Sequence, residues 1–356
     1  MRRIGARHAR PTMVLGRAVY DSQGRKLFDQ GTSLTEDSLT TLAVYGVREV
    51  LIEDPRVADV PVQPLVAPEV EAEAVQALQQ LLTEYAGDGS IAEPLVEQLR
   101  KPIYSMVREL FPEVIGEVNV AGCTSWEESR FVRPVKAAVL ALLMGRRVGL
   151  GLVELGYLGL ASALMDVGLM TPSQEAAPPG PPEASPGFRT HPQRSAAILG
   201  LSQRLGPNVV SIVLQHHERW DGSGFPKGLR GGDICLSARI LAMADTYYEL
   251  VSGTGGQRAL PPHEAAEFIM AYSGELFDPQ LVQLFARQVP LYPTGITVRL
   301  STGEVGIVSD ANLGHIGRPV VRILFDASLR PLQHPQDVDL AEKGQQGRLI
   351  VQVVDY

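Results

Sequence analysis

The sequence predicts a mainly α-helical protein, with a small α+β module before the helices and a small β domain after them. Apolar residues recur at three- and four-residue spacing from about residue 69 to 116, and later stretches as far as residue 272 repeat this helical pattern. After Pro290 short apolar runs alternate with turn signals, which predicts strands. These patterns divide the chain into four parts, residues 1–55, 56–115, 116–288 and 289–356.

The first part, residues 1–55, alternates short apolar runs with turn signals. We expect strands at 13–15, 18–20 and 50–52, and a helix that begins after the N-cap residue Thr35. This α+β module is either a passive N-terminal domain or a sensory one. Residues 56–115 then comprise a linker rich in proline and valine, followed by amphipathic helices.

The third part, residues 116–288, carries the longest helical patterns. We expect helices over 135–147, 153–164, 209–215 and 236–251. Residues 171–187 interrupt this domain, because six of these 17 residues are proline and no apolar periodicity is present. Such a composition predicts a disordered, polyproline-like insertion.

Composition and charge exclude several classes of function. A formal net charge of −8 argues against a general DNA-binding protein, which would need a basic face for phosphate contacts. Cys123 and Cys235 are the only cysteines, so no disulfide framework is implied and a cytoplasmic location is expected. No stretch approaches the roughly 20 apolar residues of a transmembrane helix, so we expect no membrane span.

The adjacent histidines His216 and His217 are the most informative feature of the chain. Each buried imidazole has a donor and an acceptor to satisfy, so packing alone rarely favours two in a row. Neutral imidazole is also the commonest metal ligand in proteins. The pair ends a predicted helix and precedes a glycine-rich turn. This arrangement predicts a metal site beside a ligand-binding loop.

Three further residues complete a candidate metal-binding set. Asp166 ends a hydrophobic helix, His191 follows the proline-rich insertion, and Asp245 lies among apolar helical neighbours. A buried carboxylate needs a partner, and for Asp245 this partner is either a metal or Arg239. Carboxylates combined with imidazoles suit Fe, Mn, Zn or Ni. The candidate metal ligands are Asp166, His191, His216, His217 and Asp245.

The turn after the histidine pair is the candidate ligand-binding loop. An Asp-Gly-Ser-Gly turn at 221–224 is common without any ligand, but its position beside two histidines favours a site loop. The residues singled out in this loop are Asp221, Gly222, Gly224, Phe225 and Pro226.

These motifs resemble the HD-GYP family, an all-helical subfamily of the HD superfamily. The resemblance rests on His-His-Glu at 216–218, Asp-Gly-Ser-Gly-Phe-Pro-Lys-Gly-Leu at 221–229, Ala-Arg-Ile at 238–240, and Asp245. It covers roughly residues 125–285, and the flanking modules also resemble domains found attached to this family. The resemblance implies a helical core that hydrolyses the bacterial second messenger cyclic di-GMP at a two- or three-metal site.

The sequence departs from the family pattern at several positions. The histidine of the family's His-Asp pair falls on Met165, the histidine of an earlier helix falls on Arg133, and the lysine after the pair falls on Leu169. The tyrosine of the GYP triplet is Phe225. Of the Arg-Pro-Tyr stretch that holds ligand phosphates in the family, only Arg258 remains as a candidate.

These departures imply an incomplete metal centre. One metal subsite loses two of its four ligands, at Arg133 and Met165, whereas the subsite formed by Asp166 and the three histidines is complete. We therefore expect one divalent transition metal (Fe, Mn, Zn or Ni) or none. In the second case Arg133 pairs with Asp166 or Asp245 in place of the lost metal. No catalytic residue is assigned.

Three functions remain open at this point. The first is a degenerate HD-GYP signalling module, with impaired or no hydrolysis, that binds cyclic di-GMP, a related nucleotide or a protein partner. The second is an active phosphodiesterase with an unorthodox mononuclear site. The third is a structural adaptor whose flanking modules carry the function. A homodimer is compatible with each of the three.

Overall fold

The structure, a computed structural model, describes residues 1–110, 126–170, 186–253 and 258–354. Within these ranges it contains eleven α-helices, ten of them beyond residue 67, and a five-stranded antiparallel sheet near the C-terminus. The predicted mainly α-helical fold class, with a small α+β module before the helices and a small β domain after them, is confirmed.

The N-terminal module consists of two antiparallel strand pairs and one helix. Its elements are β1 (Arg2–Gly5), β2 (Val19–Tyr20), β3 (Lys26–Phe28), α1 (Glu36–Val44) and β4 (Glu49–Ile52). Strand β1 pairs with β4, and β2 pairs with β3. Thr35 caps α1 as predicted, because its side chain accepts a hydrogen bond from the backbone N–H of Ser38. The predicted strand at 13–15 is wrong, since Val14 and Leu15 form only isolated bridges.

The central domain contains ten helices within its described residues. They are α2 (Pro68–Asp88), α3 (Glu93–Leu110), α4 (Trp126–Arg147), α5 (Leu152–Leu164), α6 (Pro186–Arg189), α7 (His191–Leu199), α8 (Pro207–Gln215), α9 (Leu236–Ser252), α10 (Pro262–Ala271) and α11 (Pro279–Gln288). Helix α4 is central, since it packs against both α5 and α9. All its residues from 133 to 145 are buried except Lys136, so this part of α4 is enclosed on every side and not on one face alone.

Helix α4 begins earlier than the pattern predicted. The expected helix covered 135–147, but α4 starts at Trp126 and contains Pro134. Proline removes one backbone donor and disfavours a helix interior, which is why the sequence placed the start after it. Because the helix continues through Pro134, Arg133 lies within the same element as the buried apolar residues.

The end of α5 is held close to α7. After Asp166 a short 3₁₀ turn (Val167–Leu169) follows, and the backbone N–H of Gly168 donates to Ser195 Oγ at 2.8 Å. A Cβ atom on Gly168 would lie 2.6 Å from the carbonyl oxygen of His191, so only glycine fits there. This close approach brings Asp166 beside the first turn of α7.

The proline-rich insertion falls mostly outside the described residues. Of the predicted disordered stretch 171–187, residues 171–185 are not described. Residues 186 and 187 begin the four-residue helix α6, and the expectation of a disordered insertion stays a prediction.

The C-terminal sheet packs against the segment that precedes α2. Its strands are β5 (Thr297–Leu300), β6 (Val305–Asp310), β7 (Val320–Phe325), β8 (Pro331–Asp339) and β9 (Ile350–Val354), in the spatial order β8-β7-β6-β5-β9. The Arg322 guanidinium donates to both carboxylate oxygens of Asp59, at 2.5 and 2.9 Å. A buried apolar cluster joins the same two parts, and it contains Val57, Val60, Ile307 and Leu324.

One described stretch, residues 152–169, is long and apolar enough to cross a membrane by length and composition alone. It comprises α5 and the turn after it, and 67% of it is buried inside the fold. The sequence analysis did not identify this stretch when it predicted no membrane span. Its burial is typical of a helix in the core of a folded domain.

Candidate metal centre

Five helices deliver the predicted metal ligands and Arg133 to one place. The contributions come from α4, the end of α5, the start of α7, the end of α8 and the middle of α9. The side chains in this cluster are Arg133, Asp166, His191, His216, His217 and Asp245.

The three histidines form the centre of the cluster. His191, His216 and His217 each place a ring nitrogen within 4.8 Å of a ring nitrogen of the other two. His191 and His216 are fully buried, and His217 is 4% exposed. The Nε2 atoms of His191 and His216 are 3.1 Å apart. Within the described residues, this is the one group of three or more histidine, cysteine or carboxylate side chains close enough to hold a metal ion.

Backbone carbonyls fix the tautomers of two of these rings. The Nδ1 atom of His191 lies 2.7 Å from the carbonyl oxygen of Phe188, and that of His216 lies 2.6 Å from the carbonyl oxygen of Val213. A carbonyl oxygen only accepts, so each Nδ1 carries the proton and each neutral ring keeps its lone pair on Nε2. This Nδ1–H to carbonyl bond is the usual outer support of a metal-ligating histidine.

The lone pairs of these two rings face a carboxylate. Asp166 Oδ1 lies 3.2 Å from His191 Nε2 and 4.0 Å from His216 Nε2. Three electron-rich atoms at these distances repel one another unless a cation, either a proton or a metal ion, lies among them. The donor set of carboxylate and imidazole therefore fits one divalent transition metal.

Burial keeps two of the histidines in the form that binds metals. It lowers the pKa of His216 to about 3. Burial also lowers the pKa of His217 well below its ordinary value. Both rings are consequently neutral at physiological pH, and neutral imidazole is the metal-binding form.

Arg133 joins the two carboxylates of the cluster. Its Nη1 donates to Asp245 Oδ1 and its Nη2 donates to Asp166 Oδ2. Burial alone would raise the pKa of Asp166, but the charge of the Arg133 guanidinium outweighs it and holds that pKa well below its usual range. Arg133 thus pairs with both Asp166 and Asp245, while the number of metal ions that this centre holds stays a prediction.

The other proposed partner of Asp245 is wrong. Arg239 lies on the same helix as Asp245, but its Nη1 donates to Asp278 Oδ2 at 2.6 Å. The sequence could not distinguish the two arginines, because the choice depends on which face of α9 points towards α4.

Three further departures from the family pattern are at Met165, Leu169 and Arg258. Met165 is fully buried in the apolar core, and Leu169 is half-buried at the end of the 3₁₀ turn. Arg258 is exposed and follows α9 after residues that the structure does not describe.

The loop after the histidine pair folds back over the cluster. The Phe225 backbone N–H donates to the carbonyl oxygen of His217 at 3.1 Å. Glu218 is 2% exposed, and its carboxylate accepts from the backbone N–H groups of Lys227 at 2.8 Å and Leu229 at 2.9 Å. Sequence reasoning missed this role of Glu218, although an acidic residue directly before a glycine-rich turn is a usable signal.

Two glycines and an aspartate shape the loop. A Cβ atom on Gly224 would lie between 2.4 and 2.6 Å from backbone atoms of residues 217–219, so no other residue fits. Gly222 has a φ of 84°, which favours glycine. Asp221 accepts from the backbone N–H of Ser223 at 2.9 Å and thereby closes the turn.

Aromatic rings cover the histidines. The ring of Phe225 stacks on His217 with a centroid distance of 4.8 Å and an interplanar angle of 21°. The Arg189 guanidinium lies 4.8 Å from the Phe225 centroid. Phe188, which sequence reasoning also missed, contacts the rings of His191 and His217. Pro226 is half-buried and follows Phe225 through a cis peptide bond.

Known proteins share both the helical domain and the sheet. Residues 123–281 match the HD domain, and residues 297–356 match the KOW domain associated with the HD domain. The chain is 31% identical over 233 residues to a cyclic di-GMP phosphodiesterase of Pseudomonas aeruginosa. The aligned part is 63% of this chain and 55% of that protein. The helical domain belongs to the HD-GYP family. The metal-ligand cluster described above lies inside this HD-GYP domain.

A second relative and a solved structure extend this result. The chain is 35% identical over 183 residues to 3′3′-cGAMP-specific phosphodiesterase 2 of Vibrio cholerae, covering 50% of this chain and 35% of that one. It therefore spans about half or less of the length of these two relatives. The structure of Bd1817, a HDG"Y"P protein from Bdellovibrio bacteriovorus, superposes on this chain with a TM-score of 0.51 at 16% sequence identity. The superposed part is 79% of this chain and 96% of Bd1817. That likeness shows a shared fold alone.

Proposed function

We propose that this protein is a degenerate HD-GYP signalling protein, which binds a cyclic dinucleotide at a centre reduced to one metal and has lost two-metal hydrolysis. The observation that carries this proposal is the contact of the Arg133 guanidinium with both Asp166 and Asp245. From the family resemblance we expect these two carboxylates to share a metal ion, whereas in the structure both of them bind the Arg133 guanidinium.

The charge of the guanidinium opposes the binding of a second metal ion beside it. Two unit charges about 4 Å apart at an effective dielectric constant of about 20 interact with about 4 kcal/mol, so a divalent ion beside Arg133 would be repelled by about 8 kcal/mol. Met165, the other changed position, is a soft and weak ligand for hard divalent ions. Both substitutions therefore act against the same subsite.

The other subsite retains its donors. Asp166, His191, His216 and His217 would hold a single divalent transition metal, which when bound supplies a Lewis acid for a phosphoryl oxygen. The carbonyl-fixed tautomers orient two of the rings, and the loop around Phe225 covers the third and excludes water from one side. These features support binding and orientation of an anionic phosphodiester.

The substrates in the names of the relatives support the choice of ligand class. The similar proteins act on cyclic di-GMP or on 3′3′-cGAMP, according to their names, and both are cyclic dinucleotides. We extend only the ligand class to this chain. We also propose a bacterial cytoplasmic location and action through a protein partner or a homodimer, which light scattering and affinity purification would test.

The second candidate function is an active phosphodiesterase with a mononuclear site. The intact Asp166 and three-histidine set favours it, because one metal suffices to bind a phosphoryl oxygen. It differs from the main proposal in one measurable property, which is turnover by protein that holds a single metal equivalent.

The experiment combines binding, turnover and metal content on the full chain. We expect the wild-type protein to bind cyclic di-GMP or 3′3′-cGAMP without turnover, and the Arg133→His, Met165→His double variant to gain a second metal equivalent and hydrolysis. Arg130→His is the matched control, since Arg130 lies on the same helix and is exposed. Turnover by wild-type protein with one metal would support the mononuclear enzyme. Turnover with two metals, or binding of neither nucleotide, would overturn the proposal.

A further inference from the structure

An exposed arginine lies over the aromatic cover of the histidine cluster. The Arg189 guanidinium lies 4.8 Å from the centroid of Phe225, whose ring stacks on His217 with a centroid distance of 4.8 Å. His217 is 4% exposed, Phe225 is half-buried and Arg189 is exposed. The three side chains therefore lead from the buried cluster to the surface. The proposed function assigns no role to Arg189.

The residue before Arg189 is anchored to the cluster. The carbonyl oxygen of Phe188 accepts a hydrogen bond from His191 Nδ1 at 2.7 Å. The Phe188 ring also contacts the rings of His191 and His217, with centroid distances of 4.9 and 5.3 Å. Arg189 consequently starts from a fixed position beside two candidate metal ligands, although its own side chain reaches the surface.

The hydrogen-bond donors of Arg189 are available to a ligand. Within the described residues its guanidinium contacts the ring of Phe225, and no carboxylate or other oxygen acceptor receives a hydrogen bond from it. Residues 221–229 contain one carboxylate, Asp221, which lies near the charge of Arg230. A guanidinium has five N–H donors in one plane, and two of them can bind two oxygens of a phosphate in parallel.

A cyclic dinucleotide needs a second cation at this site. It carries two phosphodiesters, each with one negative charge, and the proposed function places one of them at Asp166 and the histidines. Arg133 is already engaged, because its two terminal nitrogens donate to Asp166 and Asp245. Arg189 lies beside the same cluster and retains its donors, so it can neutralise the second phosphodiester.

We propose that Arg189 binds the second phosphodiester of a cyclic dinucleotide and thereby favours cyclic dinucleotides over linear ones with a single phosphodiester. This assignment rests on the proposed function and adds the residue that determines ligand selectivity. Phe225 supports the guanidinium through its ring face and leaves the donors free for phosphate oxygens.

The test is calorimetric titration of full-length wild-type protein and of Arg189→Gln, both saturated with Mn²⁺. The probes are cyclic di-GMP, 3′3′-cGAMP and linear GpG, which has one phosphodiester. Glutamine keeps a planar polar group but removes the charge. We expect the cyclic dinucleotide that wild type binds to lose about tenfold or more of its affinity in Arg189→Gln, because hydrogen bonds to charged groups contribute that much. GpG should bind both proteins equally.

Two further variants and one measurement separate ligand contact from damage to the site. Arg147→Gln is the matched control, because Arg147 is an exposed arginine about 20 Å along α4 from Arg133, and it should leave every affinity unchanged. Arg189→Lys keeps the charge and should lose less affinity than Arg189→Gln. The Mn²⁺ content of both Arg189 variants should equal that of wild type.

The outcomes distinguish this assignment from the proposed function. Wild-type affinity of Arg189→Gln for the cyclic dinucleotide, or an equal loss for GpG, would overturn the role of Arg189 alone. Loss of Mn²⁺ in Arg189→Gln would also overturn it, because the residue would then act through the metal centre. Binding of neither cyclic dinucleotide by wild type would overturn the proposed function and this assignment together.

Discussion

Removal of the Arg133 guanidinium is the most informative single perturbation of the HD-GYP domain. In Arg133→Met the apolar stem is retained, but Asp166 and Asp245 lose the charge that they share. Their side chains are 16% and 4% exposed, and that of Arg133 is 10% exposed, so solvent cannot replace the lost partner. Breaking a buried ion pair by removing one partner costs about 3–5 kcal/mol.

This cost translates into a measurable shift of the melting temperature. For a domain of this size, 1 kcal/mol corresponds to about 2–4 °C, so metal-free Arg133→Met is expected to melt about 6–20 °C below wild type. The assay is differential scanning calorimetry after treatment with a chelator. Arg130→Met is the control, because Arg130 is exposed and one turn away on the same helix, and we expect it to melt within about 2 °C of wild type.

A second part of the same experiment uses Mn²⁺. With Arg133 removed, the two carboxylates can bind a divalent cation, and a ligand that binds only the folded state raises its stability. Excess Mn²⁺ should therefore raise the melting temperature of Arg133→Met more than that of wild type. Equal melting temperatures of Arg133→Met and wild type in the absence of metal, or equal stabilisation of both proteins by Mn²⁺, would contradict this role of Arg133.

Three further predictions concern the loop and the contact between domains. Gly224→Ala should destabilise the HD-GYP domain by about 1–3 kcal/mol in urea unfolding, because its Cβ would overlap the backbone of residues 217–219, and an unchanged midpoint would contradict this. Glu218→Gln should increase hydrogen exchange at the backbone amides of Lys227 and Leu229, because these two N–H groups donate to the Glu218 carboxylate. Exchange equal to wild type would show that Glu218 does not hold the loop. Arg322→Ala should lower the free energy of unfolding by no more than about 1 kcal/mol, because both of its partners, Asp59 and Asp337, are exposed, and a loss above about 2 kcal/mol would contradict this.

The sequence predicted the helical domain well because its signals are local. Long apolar stretches with helical spacing place α5, α8 and α9 within one or two residues of their observed bounds. The start of α4 was missed, because Pro134 lies inside the helix and local rules place a boundary there. Strand β1 was also missed, since its first two residues are arginines and its pairing with β4 spans most of the module.

The sequence predicted the residue types of the candidate site and left the pairing among them open. The histidine pair and the motif after it were enough to indicate a metal centre, because the residue types themselves carry the chemistry. The partner of Asp245 depended on the relative rotation of α4 and α9, which no local pattern contains. The carbonyl bonds that fix the tautomers of His191 and His216 are likewise set by tertiary packing. These are the contacts that decide how many metals the centre can hold.

The central claim is that Arg133 takes the place of one metal ion. Its most direct test is the number of metal equivalents in full-length protein that has been saturated with Mn²⁺ or Fe²⁺, desalted and measured by inductively coupled plasma mass spectrometry. We expect no more than one equivalent per chain, lost in His216→Ala. Two equivalents per chain in the wild-type protein would contradict the claim.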